Sequence, residues 1–224
     1  MNIIVTGAGK GIGLEICKQL IADPNNEIIA ISRDIRKLTT LATENENLIP
    51  FSLDLEKDDY SKITSRLPGN IDILINNAGY LVNKSFSKID NTDIERSFLV
   101  NFSAPFRLIQ LLLPHFNKNA HVVNISSMGG FQGSAKFPGL SVYSASKAAL
   151  ACLTECLAEE LKEHQVKLNC LCLGAVQTEM LQNAFPGYKA PLEASDMAAY
   201  ICDFAKNAHK YLNGKIVPVS LSTP

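Results

Sequence analysis

The stretch Val5-Thr6-Gly7-Ala8-Gly9-Lys10-Gly11-Ile12-Gly13 places four glycines within seven residues, with one lysine among them. A short apolar run, Ile3–Thr6, precedes it and a helical pattern near Ile12–Ala22 follows. Strand, glycine turn and helix start form the context that a phosphate-binding turn needs. The first N–H groups of a helix have no internal partner and are free to face an anion. An ATP-type loop, G-x4-G-K-[ST], is discounted because Gly11 rather than a hydroxyl residue follows Lys10. A dinucleotide turn uses glycines for a tight bend, for close approach of pyrophosphate and for helix packing. Gly7, Gly11 and Gly13 fit those tasks, with spacing G-x3-G-x-G. A glycine cluster alone is a weak signal, so the rest of the chain decides.

Outward from the loop, short apolar runs alternate with helical patterns to the end of the chain. Strands are expected at Ile3–Thr6, Glu27–Ser32, Leu48–Leu53, Ile71–Asn76, His121–Ser126, Lys167–Leu173 and Lys215–Val219. Helices are expected near Ile12–Ala22, Ile35–Glu44, Asp58–Leu67, Thr92–Phe116, Val142–His164 and Glu193–Lys206. Thr92 to Glu95, TDIE, reads as a capping box that opens the fourth helix. The strand runs are apolar throughout rather than alternating, as strands buried on both faces are. The alternation therefore predicts an α/β fold with a parallel sheet covered by helices. No linker, repeat or low-complexity tract interrupts it, so residues 1–224 are expected to form one domain, with a cofactor half over about 1–120 and a catalytic half over about 121–224.

The net charge of −1 gives no electrostatic case for nucleic acid or an anionic membrane. The start, MNIIVTG, has no signal-peptide pattern, and no apolar run reaches the ~18 residues of a membrane span. A soluble, cytoplasmic protein is expected, with its six cysteines reduced. Cys152 and Cys156 are expected on a packed helix face, and Cys170 and Cys172 alternate along a strand. The scattered histidines and the absence of CxxC or HExxH speak against a metal.

The chain resembles the short-chain dehydrogenase/reductase family, of its shorter kind. The family's T-G-x3-G-I-G stands at Thr6 to Gly13, its N-N-A-G at Asn76-Asn77-Ala78-Gly79 and its Y-x3-K at Tyr143 to Lys147. Its helical asparagine matches Asn101, and its strand-end serine matches Ser127 in VVNISSMGG. The motifs occur in order from about residue 2 to 178. The resemblance implies a Rossmann fold, a doubly wound parallel sheet of about seven strands in the order 3-2-1-4-5-6-7. It also implies NAD(H) or NADP(H) lying along the carboxyl ends of the strands.

NAD-preferring members usually end the second strand with an acid that accepts from the ribose hydroxyls. Here Ser32 falls at that place and Arg33 follows it. An arginine there, together with Lys10 before the second loop glycine, implies NADP(H). The two cations would flank the 2′-phosphate, Arg33 through its planar fork and Lys10 as a point charge. Asp34 comes one place too late and should cap the next helix. The remaining cofactor positions implied by the resemblance are Gly9, Ile12, Asp54 and Leu55 at the adenine, Asn77 to Gly79 beside the ribose, and Gly174, Val176 and Thr178 near the carboxamide. A helix N-cap is the other reading of Asp54.

Hydride transfer to a carbonyl leaves charge on oxygen, so the site needs an acid. A free tyrosine titrates at about 10, and a nearby ammonium lowers that value. Tyr143 and Lys147 are four apart, on one helix face. The resemblance assigns Tyr143 as the proton donor, with Lys147 lowering its pKa and holding the nicotinamide ribose. Ser127 steadies the alkoxide, and Asn101 relays protons with a water held in an irregular stretch of its helix. Ser126 would point to the opposite side of the strand. The loop between Ser127 and Tyr143, GGFQGSAKFPGL, is longer than the family's usual one.

Leu173 replaces the usual proline before Gly174, so a looser turn is expected. Met180, Leu181, Phe185 and Tyr188, joined by Phe131 and Phe137, are expected to cover a fairly open pocket for an apolar ketone or aldehyde. The finish, NGKIVPVSLSTP, departs from the family's usual acidic, glycine-rich end. The expected activity is an NADP(H)-dependent carbonyl reductase or alcohol dehydrogenase. An NADP(H)-binding, redox-sensing regulator without turnover stands beside it. The resemblance further implies a homotetramer or homodimer built on the fourth and fifth helices, with no nucleic acid or membrane partner.

Overall fold

The computed structural model describes residues 1–221. The last three residues of the atypical finish lie outside them. Five elements make the first half of the sheet: β1 (Asn2–Thr6), α1 (Gly11–Leu20), β2 (Glu27–Ser32), α2 (Arg36–Ala42) and β3 (Leu48–Ser52). A short α3 (Ser61–Thr64) leads to β4 (Ile71–Asn76). There follow α4 (Asn91–Phe98), α5 (Ala104–Leu112), β5 (Phe116–Ser127), α6 (Ser141–Glu160) and β6 (Lys167–Leu173). Two small strands, β7 (Val176–Gln177) and β8 (Leu192–Glu193), flank α7 (Glu179–Ala184), and α8 (Ala194–Asn207) and β9 (Lys215–Val219) close the described chain.

The main sheet runs β3-β2-β1-β4-β5-β6-β9, with every pairing parallel. This is the Rossmann order expected from the sequence, its seventh strand being β9. The strands are apolar on both sides because helices cover both sides. One core packs α1 and α8 on Val5, Ile28, Ile75 and Val123. The other packs α5 on Ile4, Ile29, Leu74 and Val122.

Several local expectations need correction. The capping box is Asp90–Asp93, not Thr92–Glu95: the Asp90 carboxylate accepts from Asp93 N at 2.9 Å, and Asp93 accepts from Asp90 N at 3.2 Å. Lys84 fixes Asp93 from outside, at 2.6 Å, which an isolated helix reading has no means to include. The fourth helix ends at Leu112 rather than Phe116. Pro114 follows within a 3-10 turn, and Phe116 already belongs to β5. Asp34 accepts from Arg36 N at 3.1 Å, but the residue in the cap position of α2 is Ile35. The turn at Leu173 is not loose, since β6 stays in register with β9 through it and Gly174 N donates to Val219 O at 2.8 Å. Cys152 and Cys156 are exposed, because α6 buries the face of Lys147, Leu150, Ala151 and Thr154 instead.

The expectation of no unbroken apolar run of membrane length stands, beside one helical stretch that reaches that length by length and composition alone. Asn91–His115 is one helical stretch of 25 residues, long and apolar enough by length and composition to cross a bilayer. Its sequence is interrupted by charges at Asp93, Glu95, Arg96 and Arg107, so it is not an unbroken apolar run. Leu108, Ile109 and Leu112 of this stretch pack into the core.

Candidate active site

A cleft of about 550 Å³ runs along the carboxyl ends of the central strands. Of the cofactor and catalytic residues expected from the sequence, Gly9, Gly13 and Asn101 stand behind its wall rather than on it. The glycine loop forms one side. Gly7 adopts φ +66, and a Cβ there would lie 2.8 Å from the Ala78 backbone, so the turn after β1 and the turn after β4 touch only because no side chain intervenes. Thr6 and Asn77 lock the same two turns, with Ala78 N donating to Thr6 Oγ1 at 3.0 Å and Asn77 Nδ2 donating to Thr6 O at 3.0 Å. Gly9 packs on Ser32, and Gly11 faces the Thr178 side chain.

At one end of the cleft stand Arg33 and Lys10, each with more than half of its side chain exposed. Both meet a carboxylate the sequence reading did not consider. Arg33 Nη1 donates to Glu56 Oε1 at 3.3 Å, and Lys10 Nζ to Glu179 Oε2 at 3.2 Å. Glu56 also takes Arg96 Nη2 at 3.0 Å, and the Arg96 guanidinium lies 4.3 Å over the Tyr80 ring. Asp54 lines the cleft but is no helix N-cap; it accepts from Glu56 N at 3.0 Å in its own turn.

At the other end, β5 delivers Ser127 and α6 delivers Tyr143 and Lys147. Ser126 turns away and donates to Lys147 O at 2.8 Å, while Ser127 accepts from Gly129 N at 3.2 Å on the cleft side. The Ser127 hydroxyl neighbours the Tyr143 phenol and favours its ionised form. Lys147 is buried, and its Nζ donates to Ile125 O at 2.8 Å. Burial pushes its ammonium down to about 8. The expected lowering of the Tyr143 pKa by Lys147 is not found in this form. Burial raises the phenol above its ordinary value, and the Ser127 hydroxyl opposes the rise. Desolvation is the largest cause, and the Lys147 ammonium is engaged with the β5 backbone at Ile125 O.

Asn101 lies in the middle of a π-helical segment, Leu99–Ser103, between α4 and α5. Such single turns re-aim a side chain out of the regular helical path. Its Oδ1 accepts from Tyr80 N at 2.8 Å, and its Nδ2 donates to Tyr80 O at 2.8 Å and to Ser146 Oγ at 2.9 Å. A Cβ on Gly79 would come 3.4 Å from Lys147 Nζ and 3.5 Å from Asn101 Oδ1. A larger residue at 79 would press on both groups.

Met180, Leu181, Phe185, Tyr188 and Phe137 line the same end, with Tyr80, Leu81 and Leu140. Phe131 does not join them; it packs underneath, against the cluster of Met128 and Cys172. Thr178 caps α7, accepting from Leu181 N at 3.2 Å. Asn83 ties the rim, donating to Ala184 O at 2.8 Å, while Lys84 N donates to Gly139 O at 3.1 Å in the lengthened loop.

A family profile described as short chain dehydrogenase matches residues 1–189. The chain is 35% identical to L-xylulose reductase of Caenorhabditis elegans over 189 residues, which cover 80% of this chain and 73% of that one. It is 30% identical to carbonyl reductase [NADPH] 2 of Sus scrofa, covering 80% of this chain and 73% of the relative. A short chain dehydrogenase of Burkholderia cenocepacia, solved in complex with NADP, superposes with a TM-score of 0.84 at 24% identity, over 97% of this chain and 95% of that one. The chain therefore belongs to the short-chain dehydrogenase family. It is an oxidoreductase whose cofactor class is the nicotinamide dinucleotides. The cleft fits such a group, with a side-chain-free loop at a helix start, cations at one end and a tyrosine–lysine pair at the other.

Proposed function

We propose that the protein is an NADP(H)-dependent carbonyl reductase, acting in reverse as an alcohol dehydrogenase, on small apolar ketones or aldehydes. The observation that carries this reading is one cleft with Arg33 and Lys10 at one end and Ser127, Tyr143 and Lys147 at the other. When bound, the cofactor supplies the hydride. Lys10 and Arg33 hold its 2′-phosphate, and Asp54 and Leu55 flank its adenine. Asn77 to Gly79 form the ribose wall. Gly174, Val176 and Thr178 flank the carboxamide.

At neutral pH the Tyr143 phenol is protonated, since burial keeps it above its ordinary value. It is thus ready as the acid of a reduction, giving its proton to the substrate oxygen as charge develops there. Ser127 donates a second hydrogen bond to that oxygen. Lys147, mostly protonated at pH 7, offsets the charge left on the phenolate and holds the ribose hydroxyls. Asn101 keeps the loop of Gly79 and Tyr80 against α6 through Ser146; the phenolate then recovers its proton from Lys147, and a water beside Asn101 replaces the proton that Lys147 gives up. At the substrate end the cleft is lined by Tyr80, Leu81, Phe137, Leu140, Met180, Leu181, Phe185 and Tyr188, which supports an apolar substrate.

NADPH consumption with a panel of ketones and aldehydes tests the reading. Wild type turns over; Tyr143→Phe does not, yet still binds NADPH. No turnover by wild type, or full turnover by the variant, refutes it. The same reading makes the protein cytoplasmic, which its six unpaired thiols support. It is a homotetramer or homodimer through the outer faces of α4, α5 and α6, supported by the exposed Ile94 and Phe106. Light scattering that gives the monomer mass defeats that assembly.

A further inference from the structure

The cofactor reading leaves Glu56 unused, although it sits in the cleft wall against one of the two cations assigned to the 2′-phosphate. We infer that Glu56 is a specificity-determining counter-charge: a carboxylate fixed beside Arg33 that offsets part of its charge and holds down the preference for a phosphorylated cofactor. The inference rests on the NADP(H) reading and deepens it.

Two carboxylates touch the cation pair, and they differ in how far each can retreat. Glu179, at the start of α7, keeps 57% of its side chain exposed and has Lys10 as its ion-pair partner. An exposed pair of this kind is worth about 0–1 kcal/mol, so an arriving phosphate displaces it at little cost. Glu56 keeps 16% exposed. Its Oε1 accepts from Arg96 Nη2 at 3.0 Å, and Arg96 Nε lies 3.0 Å from Oε2 at an angle that makes an ion pair rather than a hydrogen bond. Arg96 is itself held, lying 4.3 Å over the Tyr80 ring, while Asn101 grips both backbone polar groups of Tyr80. Glu56 is therefore the fixed partner and Arg33, 61% exposed and joined by one 3.3 Å contact, is the mobile one. When Arg33 turns to a phosphate, the Glu56 charge stays behind it.

A fixed negative charge within a few ångströms of a cation opposes binding of a dianion there and scarcely affects a ribose hydroxyl. Arg96 shares the same carboxylate, so it sets how much of that charge falls on Arg33. This gives two substitutions with opposite signs. Glu56→Gln removes the charge and keeps the shape. Arg96→Gln leaves the whole carboxylate to Arg33.

The experiment is fluorescence titration of NADPH and NADH into wild type, Glu56→Gln, Arg96→Gln and Arg33→Ala, each checked for an intact thermal transition. Glu56→Gln is expected to bind NADPH about three- to tenfold tighter, and Arg96→Gln to bind it weaker, with NADH moving less than about twofold in both. A purely structural role for the pair would move both variants, and both cofactors, the same way. An unchanged NADPH:NADH ratio in Glu56→Gln, or equal shifts for both cofactors, overturns the inference. Arg33→Ala separates the two levels. If it leaves the ratio unchanged, the cofactor reading fails and this inference falls with it. If it collapses the ratio while Glu56→Gln is silent, only the counter-charge is wrong.

Discussion

Arg33 and Lys10 reach the cleft from loops, keep more than half of their side chains in solvent, and each meet one carboxylate through a single contact. Lys147, at the opposite end, is 3% exposed and fixed to the backbone of Ile125. Asn101 is fully buried, with its carboxamide oxygen and nitrogen both engaged. Cations in high dielectric interact weakly and exchange partners readily; groups withdrawn from water are expensive to place and costly to move. One end of the cleft can therefore re-pair to recognise a ligand. The other is set before any ligand arrives, as acid–base chemistry requires.

The sharpest way to break this contrast is at Tyr143. Phenylalanine keeps the ring and removes the proton that the proposed reduction takes from Tyr143. Turnover is expected to fall by about 10²–10⁴-fold, the usual worth of a positioned acid. NADPH affinity should stay within a few-fold, because the proposed phosphate site lies at the other end. Stopped-flow single turnover and a binding titration separate the two. A variant that loses affinity rather than turnover would show the ends to be one unit.

Lys147→Met tests whether the buried end is built at the expense of stability. Burial holds the ammonium at about 8 in the folded chain against 10.5 for a free lysine. The folded state therefore resists protonation, and stability is lost as pH falls from about 10.5 through about 8. At pH 7 the methionine variant should be inactive but more stable by up to about 3 kcal/mol, less what the lost hydrogen bond to Ile125 O contributes. Above pH 10.5 that gain should vanish. Thermal melts of both proteins from pH 7 to 10.5 check it. A variant less stable than wild type across that whole range would remove desolvation as the dominant cost.

The contrast also marks what the sequence could carry. Tyr143 and Lys147 are one helical turn apart, and Gly7 and Gly13 bracket one turn, so spacing alone places them. The seven strands follow from apolar runs that need cover on both sides. What escaped depends on distance along the chain. Glu56 meets Arg33 across 23 residues and Glu179 meets Lys10 across 169, which no local pattern encodes. The direction of the Tyr143 shift escaped for the same reason, since it depends on burial and on where the Lys147 ammonium points. Cys152 and Cys156 are hard to place from periodicity because α6 shows only a weak contrast between its faces, so spacing does not say which face meets the sheet. Asp90 rather than Thr92 is the cap because its partner Asp93 is fixed by Lys84, which comes from the preceding loop.

At the exposed end, Arg33→Ala removes a fork of donors from the proposed phosphate site. Charge-assisted hydrogen bonds of this kind are worth about 1.5–3 kcal/mol, so NADPH should bind about 10–100-fold weaker. NADH should hardly change. Raising salt from 50 to 300 mM should weaken NADPH binding in wild type and less in the variant, because a solvent-exposed contact is screened. Equal loss for both cofactors would mean that Arg33 supports the loop rather than the phosphate.

The smallest expected effect belongs to Lys10. It is a single charge on a flexible stem, 60% exposed, and it must leave Glu179 to meet a phosphate. The exchange is nearly even, one surface ion pair for another, so Lys10→Gln should weaken NADPH binding only about two- to fivefold at low salt, with no measurable loss at high salt. Glu179→Gln should act in the opposite direction and by no more, since it frees Lys10 without adding a donor. If both substitutions prove silent at every salt concentration, Lys10 is solvated surface and the cation recognition rests on Arg33 alone. If Lys10→Gln instead costs as much as Arg33→Ala, the exposed end is more tightly organised than its accessibility implies, and the division of the cleft into a re-pairing end and a fixed end does not hold.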